Sequence, residues 1–313
     1  MRHHLTQELL TAVAKQDLGQ LEGVLAQGQE PYMMFPARFT FLRGLSTVTA
    51  ASRMGNLEML RLLQAAGADL GLLDERGRSG LHEAAARGRA DVVRALLEDR
   101  VDPSQSDKDG GTALHMASAT GELRVVQLLL ASGGQVNKCD TWGVNPLRAA
   151  VTKGVVPLAQ ALLGAAADVN QSDCGGNTPL FAAASSGYLE LVELFAEHRG
   201  DVNKSGSSST PLRAASASGH AEVVASLLAL RADCNLDCQS GTPLVAAAGA
   251  GHEKVVELLV SHAADVNRRN ISGTALVAAS SAGHLEVVNA LLAAAADVDK
   301  VCIRGTALSS AAA

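Results

Sequence analysis

Aromatic side chains are nearly missing from this chain of 313 residues: one Trp, two Tyr and five Phe make up 3% of it. Any core must therefore be assembled from Ala, Leu and Val, and a hydrophobic content of 47% is ample for that. Cysteine is sparse too. Five (Cys139, Cys174, Cys234, Cys238 and Cys302) are an odd number in a long chain, which argues against a disulfide framework and for a reducing, intracellular setting, cytoplasmic first and nuclear as the alternative. No apolar run reaches membrane-spanning length, and residues 1–17 lack the apolar centre of a signal peptide, so no membrane insertion is expected. Positive charge is not in excess. The net charge is −6, with 17 basic and 17 acidic side chains in residues 1–156 against 9 and 15 in residues 157–313. Nucleic-acid binding through bulk charge is therefore not expected. There is no phosphate-binding glycine loop followed by Lys and no nucleophile elbow, so the expectation is no catalytic residue, no cofactor and no metal.

What the chain does contain is one phrase written repeatedly. Thr178-Pro179-Leu180 returns as Thr210-Pro211-Leu212 and Thr242-Pro243-Leu244, and with Ala for Pro at Thr112, Thr274 and Thr306. Looser copies begin at Ser46, Ser79 and Asn145. The steps are 33 residues from Ser46 to Thr178 and 32 from Thr178 to Thr306. A fixed period of this size marks a repeat architecture and overrides the two globular domains that length alone suggests. One elongated stack is expected instead.

Each copy reads as two helices. Thr is a good N-cap, and Pro fits the first helical position, where a missing N–H costs nothing. A short helix with paired small residues follows (Ala84-Ala85, Ala183-Ala184, Ala246-Ala247), allowing close helix–helix approach. A Gly closes it in every copy (Gly55, Gly88, Gly121, Gly154, Gly187, Gly219, Gly251, Gly283), as a left-handed terminator should. A second helix carries apolar residues at helical spacing, as in Val92, Val93, Leu96 and Leu97. An Asp-containing turn ends the unit at Asp69, Asp102, Asp168, Asp201, Asp233, Asp265 and Asp297. No single unit can bury both helices, so each depends on its neighbours.

The phrase Thr-Pro-Leu-x-x-Ala-Ala, followed by Gly-His, Val-Val, Leu-Leu and Ala-Asp-Val-Asn, resembles the ankyrin repeat family from about residue 7 onward. Gly219-His220, Gly251-His252 and Gly283-His284 are among the best matches. The resemblance implies an all-α repeat solenoid with short β-hairpin fingers, of about nine full repeats plus a partial tenth. It also implies an intracellular protein that binds other proteins through its fingers and inner helices. The domains expected are a degenerate N-terminal capping repeat at 1–30, an aromatic-rich insertion in the first finger at 31–45, about eight repeats at 46–305, and the truncated start of another at 306–313.

Function is sought where the copies differ. The insertion holds Tyr32, Phe35, Phe39 and Phe41, half of the eight aromatics in the chain. It either presents a sticky finger to a partner or folds back over the stack, since an exposed aromatic loop invites aggregation. The later fingers are one residue shorter and rich in Ser and Gly, as at Ser205-Gly206-Ser207-Ser208-Ser209, so plainer hairpins are expected there. At the end, Thr306 opens a copy that Ala313 cuts short. This reads as a fragment of a longer protein, or else as an end that pairs with something.

Family analogy places contacts at finger tips and at the residues before the first-helix Gly. Here these are Arg53, Met54, Glu75, Arg76, Arg78, Arg87, Lys108, Asp109, Trp142, Val144 and Lys153. The later equivalents are small and uncharged, for example Ser185-Ser186 and Gly249-Ala250, which points to the N-terminal half as the recognition surface. Trp142, the only Trp, either faces a partner or packs on the neighbouring hairpin. Arg53, Arg76, Arg78 and Arg87 can receive an acidic peptide, because guanidinium forks suit carboxylates; the alternative is a solvated face balanced by Glu75 and Glu83. His82, His115, His220, His252 and His284 track the period and are read as structural. Cys234 and Cys238 are read as neutral thiols, since no second pair stands at zinc-ligand spacing. The leading expectation is a non-catalytic interaction scaffold or adaptor. The competing ones are the repeat portion of a larger enzyme or channel, and a structural spacer.

Overall fold

In the computed structural model the described residues are 2–36, 39, 42–206, 209–238, 241–268 and 273–300. They divide into two compact units, Met1–Ala167 and Asp168–Ala313. The unfinished copy at Thr306 and Cys302 lie outside the described residues.

The first unit holds α1 (Arg2–Lys15), α2 (Leu18–Ala26), α3 (Thr47–Met54), α4 (Leu57–Ala65), α5 (Gly80–Ala85), α6 (Ala90–Glu98), α7 (Ala113–Thr120), α8 (Leu123–Ala131), α9 (Pro146–Ala150, continued by a 3-10 turn at Val151–Lys153) and α10 (Val156–Gly164). The second holds α11 (Pro179–Ser186), α12 (Leu189–Glu197), α13 (Pro211–Ala217), α14 (Ala221–Ala229), α15 (Pro243–Ala250), α16 (Glu253–Ser261), α17 (Ala275–Ala282) and α18 (Leu285–Ala293). Within each unit, every odd-numbered helix packs on the even-numbered helix after it and on the next odd one, and the even helices pack on one another. The result is two layers of helices with a continuous core between them.

The sequence phrase accounts for the local geometry. Asn145, Thr178, Thr210, Thr242 and Thr274 are N-caps in extended backbone, and their side chains accept the N–H three residues on, at 2.7–3.3 Å. Each such cap stabilises its helix by about 1 kcal/mol. All eight terminal glycines have φ between +65° and +87°. In α1, where no Gly stands, Gln16 itself takes φ +57°. The Ala-rich first helices are buried (Ala50, Ala51, Ala84, Ala85, Ala117, Ala183, Ala184, Ala247, Ala248), as are the Val and Leu of the second helices.

Adjacent copies are stitched by the Asn of the Asp-Val-Asn turn. Asn235 Oδ1 accepts the Asp265 N–H at 2.7 Å while its Nδ2 donates to the Ala263 carbonyl at 3.2 Å. Asn170 and Asn267 do the same toward Asp201 and Arg199, and toward Asp297 and Ala295. A carboxamide offers a separate donor and acceptor for these two bonds. Its donor also satisfies the carbonyl of a residue held at positive φ: Arg199, Ala263 and Ala295 all sit at +59° to +64°.

The fingers carry isolated antiparallel bridges rather than strands among the described residues: Met34 with Ser46, Ser106 with Thr112, and Cys238 with Gly241. The insertion packs inward. Phe35 is 2% exposed and takes an edge contact from Phe39 at 5.1 Å. Backbone bonds from Phe35 to Leu45 and from Thr47 to Met33 close the loop, and the Tyr32 hydroxyl donates to the Leu73 carbonyl at 3.4 Å. Among the described residues of the insertion, Phe35 is thus a buried anchor and Tyr32 and Phe39 are half-buried beside it. Phe41 lies outside the described residues.

Candidate partner-binding groove

The fingers of Asp74, Asp107, Asp140 and Asp173 share one device. In each, the aspartate Oδ1 accepts two backbone N–H groups, two and four residues on: Arg76 and Arg78, Asp109 and Gly111, Trp142 and Val144, Gly175 and Asn177, all at 2.8–3.0 Å. This turn fixes which residues stand at each tip. In the first unit the tips are also tied to each other: Glu75 N–H donates to Gly44, Lys108 N–H to Arg76 and Thr141 N–H to Asp109, at 3.2, 3.1 and 2.9 Å. These aspartates recur at 33-residue steps, a signal the sequence reading passed over.

Two of the four candidate guanidiniums are already paired within the protein. Arg78 reaches Asp107 at 3.3 Å and Glu83 at 3.4 Å, and Arg53 stands 3.8 Å from Glu83. Glu83 and Asp107 are buried, at 4% and 7% exposure. Glu83 is therefore not part of a solvated face: with buried Asp107 and half-buried Arg53 and Arg78 it forms a group of four charges that balance. An acidic peptide would meet Arg53 and Arg78 only by displacing these pairs.

His82 and His115 underlie the same fingers. Each Nδ1 accepts the N–H of its helix N-cap, Ser79 or Thr112, at 3.1 Å, and each Nε2 donates to the carbonyl of the next finger, Gly111 at 3.2 Å or Val144 at 3.0 Å. Both imidazoles are held neutral. Burial pushes their pKa below the ordinary value, against the opposing pull of the carbonyl bonds and of Asp107 and Asp140. His220, His252 and His284 use Nε2 differently, donating to Ser185, Ala217 and Gly249 at 3.2 Å. All five are structural, as read from their period. Cys234 donates to the His262 carbonyl, and burial raises its pKa, so it is a neutral thiol. Among the described residues no group of His, Cys, Asp and Glu could hold a metal ion, and no helix is long and apolar enough to cross a membrane.

Between the second and fourth of the tied tips lies an open groove of about 460 Å³. Its apolar lining comes from Met116 and Ala119 of α7, Ala149 of α9 and Val144. Trp142 stands at its edge, 58% exposed. Polar lining comes from Arg78, Asp107, Asp109, His115, Asp140, Arg148 and Thr152. Gly111 explains why there is a cavity. The same place in the neighbouring fingers holds Arg78 and Val144. At Gly111 the side chain is missing, and an added Cβ would come within 3.2 Å of Met116 Cε and Asp107 Oδ1.

Of the sequence candidates, Arg78, Asp109, Trp142 and Val144 come together around this groove. Glu75, Arg76, Arg87, Lys108 and Lys153 are exposed but do not line it. Arg53, Met54, Tyr32 and Phe39 are half-buried, and Phe35 is fully buried, so its ring supports the loop and faces no partner. The sequence reading missed Gly111, Met116 and Asp140. Gly111 was legible as a Gly standing just before the Thr of its phrase, where the two neighbouring copies hold Arg78 and Val144.

A family model for ankyrin repeats, built as three copies, matches the chain at residues 48–140, 121–206, 147–237 and 212–302. No curated protein matches it. Stacked helix pairs with capped starts, left-handed glycine ends and Asx-turned fingers agree with that match, and the chain belongs to the ankyrin repeat family.

Proposed function

We propose that this chain is a non-catalytic scaffold or adaptor that binds a protein partner through the Trp142–Gly111 groove of its N-terminal half. Ankyrin repeats are generally protein-interaction modules. The observation that carries the reading further is the exposed Trp142 beside a groove opened by a missing side chain. Trp is prominent among interface hot spots, and this one stands beside an apolar groove lining and not alone on the surface. The remaining ring area, 58% of the side chain, yields about 3 kcal/mol on burial at about 25 cal/mol/Å². The groove lies on backbone already tied tip to tip and by Asx turns, which keeps the ordering cost of binding low. The first helices of the second unit end in small residues such as Ser185, Ala217 and Gly249, whose carbonyls are engaged by histidines. They offer a partner little to grip.

Gly111→Val is the test. Val already occupies the matching place at Val144, with the same backbone bonds. The variant should keep its helical circular dichroism and melting temperature while losing the proteins that the wild-type chain retains in an affinity pull-down. Retention of the full set by Gly111→Val and by Trp142→Ala would rule out this surface.

A further inference from the structure

We infer that the groove receives a basic side chain, Arg or Lys, from the partner protein, which deepens the reading just given and rests on it. Three carboxylates line the groove, Asp107, Asp109 and Asp140, against two guanidiniums, Arg78 and Arg148. Arg78 is committed to Asp107 and to the buried Glu83, so Asp109 and Asp140 remain against Arg148, an excess of one negative charge. Asp109 is exposed, and the residues of its tip are joined to those of Trp142 through the Thr141 N–H bond to the Asp109 carbonyl. Asp140 belongs to Trp142's own turn, accepting its N–H at 2.9 Å. An indole face and two carboxylates therefore converge on one mouth, above an apolar lining of Met116, Ala119 and Ala149.

A long cationic side chain matches that sequence of surfaces. Its methylene stem lies along the apolar lining while its head stays at the wet mouth. The head meets the Trp face as a cation on a π system and the carboxylates as a charge-assisted donor. An acidic side chain would face Asp109 and Asp140 as like charges. An aliphatic one would cover the lining but gain nothing from the exposed Asp109 carboxylate.

Trp142 is the only Trp in the chain, so its emission reports occupancy of the groove. The experiment titrates the full chain with capped peptides Ac-Gly-Ala-Xaa-Ala-Gly-amide, Xaa being Arg, Lys, Leu or Glu, at low and moderate salt. The Arg and Lys peptides should shift the emission saturably, bind about tenfold or more tightly than the Leu peptide, and weaken several-fold on raising salt. Glu should produce no shift. Asp109→Asn, at an exposed side chain, should weaken Arg binding several-fold with the fold intact, and Gly111→Val should abolish it. If Leu or Glu binds as tightly as Arg, or if salt and Asp109→Asn leave Arg binding unchanged, the cation assignment is overturned and the groove stands. If no peptide shifts the emission, or Gly111→Val binds as the wild type does, the groove itself is overturned and the cation with it.

Discussion

Acid should destabilise the first unit through His82 and His115, and the size of the effect follows from their hydrogen bonds. Each Nδ1 faces a backbone N–H at 3.1 Å, and each Nε2 faces a backbone carbonyl. The neutral Nε2–H tautomer fits both backbone partners, whereas a proton on Nδ1 would oppose the N-cap N–H and find an acceptor only in the Ser79 or Thr112 hydroxyl, at 2.9 or 2.8 Å. The folded pKa of both lies below the ordinary 6.5, with burial as the leading cause. The unfolded chain therefore takes up protons first as pH falls. The stability these residues contribute is fully present above pH 6.5 and is lost as pH drops from there through the depressed folded values. Each can contribute a slope of at most about 1.4 kcal/mol per pH unit, so about 2.7 for the pair. The assay is urea unfolding followed by Trp142 emission from pH 7.5 to about 5.5, since Trp142 lies two residues before the carbonyl that His115 holds. The control is His82→Gln/His115→Gln. Gln keeps the reciprocal cap toward Ser79 and Thr112 but does not titrate. The double variant should be about 2 kcal/mol less stable at pH 7.5, from two lost carbonyl bonds, and the gap should close toward pH 5.5. A gap that stays constant across this range would refute the claim that these imidazoles are held neutral.

Three further outcomes are expected. Gly251→Ala and Gly283→Ala share φ near +77°, but a Cβ at 251 would stand 2.7 Å from the His284 ring whereas one at 283 meets nothing within 4 Å. Thermal or chemical denaturation should therefore show a loss of about 1–2 kcal/mol at Gly283 and a clearly larger one at Gly251. Glu83→Gln leaves Arg53 and Arg78 without their shared carboxylate and should cost about 1–3 kcal/mol in urea unfolding, a range set by charge-assisted hydrogen bonds. Asn235→Asp keeps the acceptor for Asp265 N–H but loses the donor to the Ala263 carbonyl; an expected cost of about 1 kcal/mol should appear with faster amide exchange around residues 263–265.

Reading the chain alone went furthest where the physics is local. An N-cap such as Thr178 and a terminator such as Gly187 act within one turn of their own helix, so their types and spacing reveal the helix pair directly. The histidines were assigned to scaffolding because they keep the period, and the hydrogen bonds agree. Residues 31–45 were ambiguous for a physical reason. Composition shows that Phe35 is apolar but not whether it is covered; here it is buried, with the Phe39 ring against it and its backbone bonded to Gly44 and Leu45. The Arg cluster misled because charge on a sequence carries no partner. Arg78 finds Glu83 five residues on in its own copy, but it acquires Asp107, 29 residues on, only when neighbouring fingers are laid side by side.

Two kinds of knowledge therefore separate cleanly in this protein. Period, helix boundaries, caps and left-handed glycines are properties of single turns repeated in register, and they can be read from one strand of letters. The groove at Gly111, the neutral cluster around Glu83 and the exposure of Trp142 arise between successive copies. Stacking decides them, because burial and charge pairing depend on which surfaces a neighbouring repeat brings within a few ångströms.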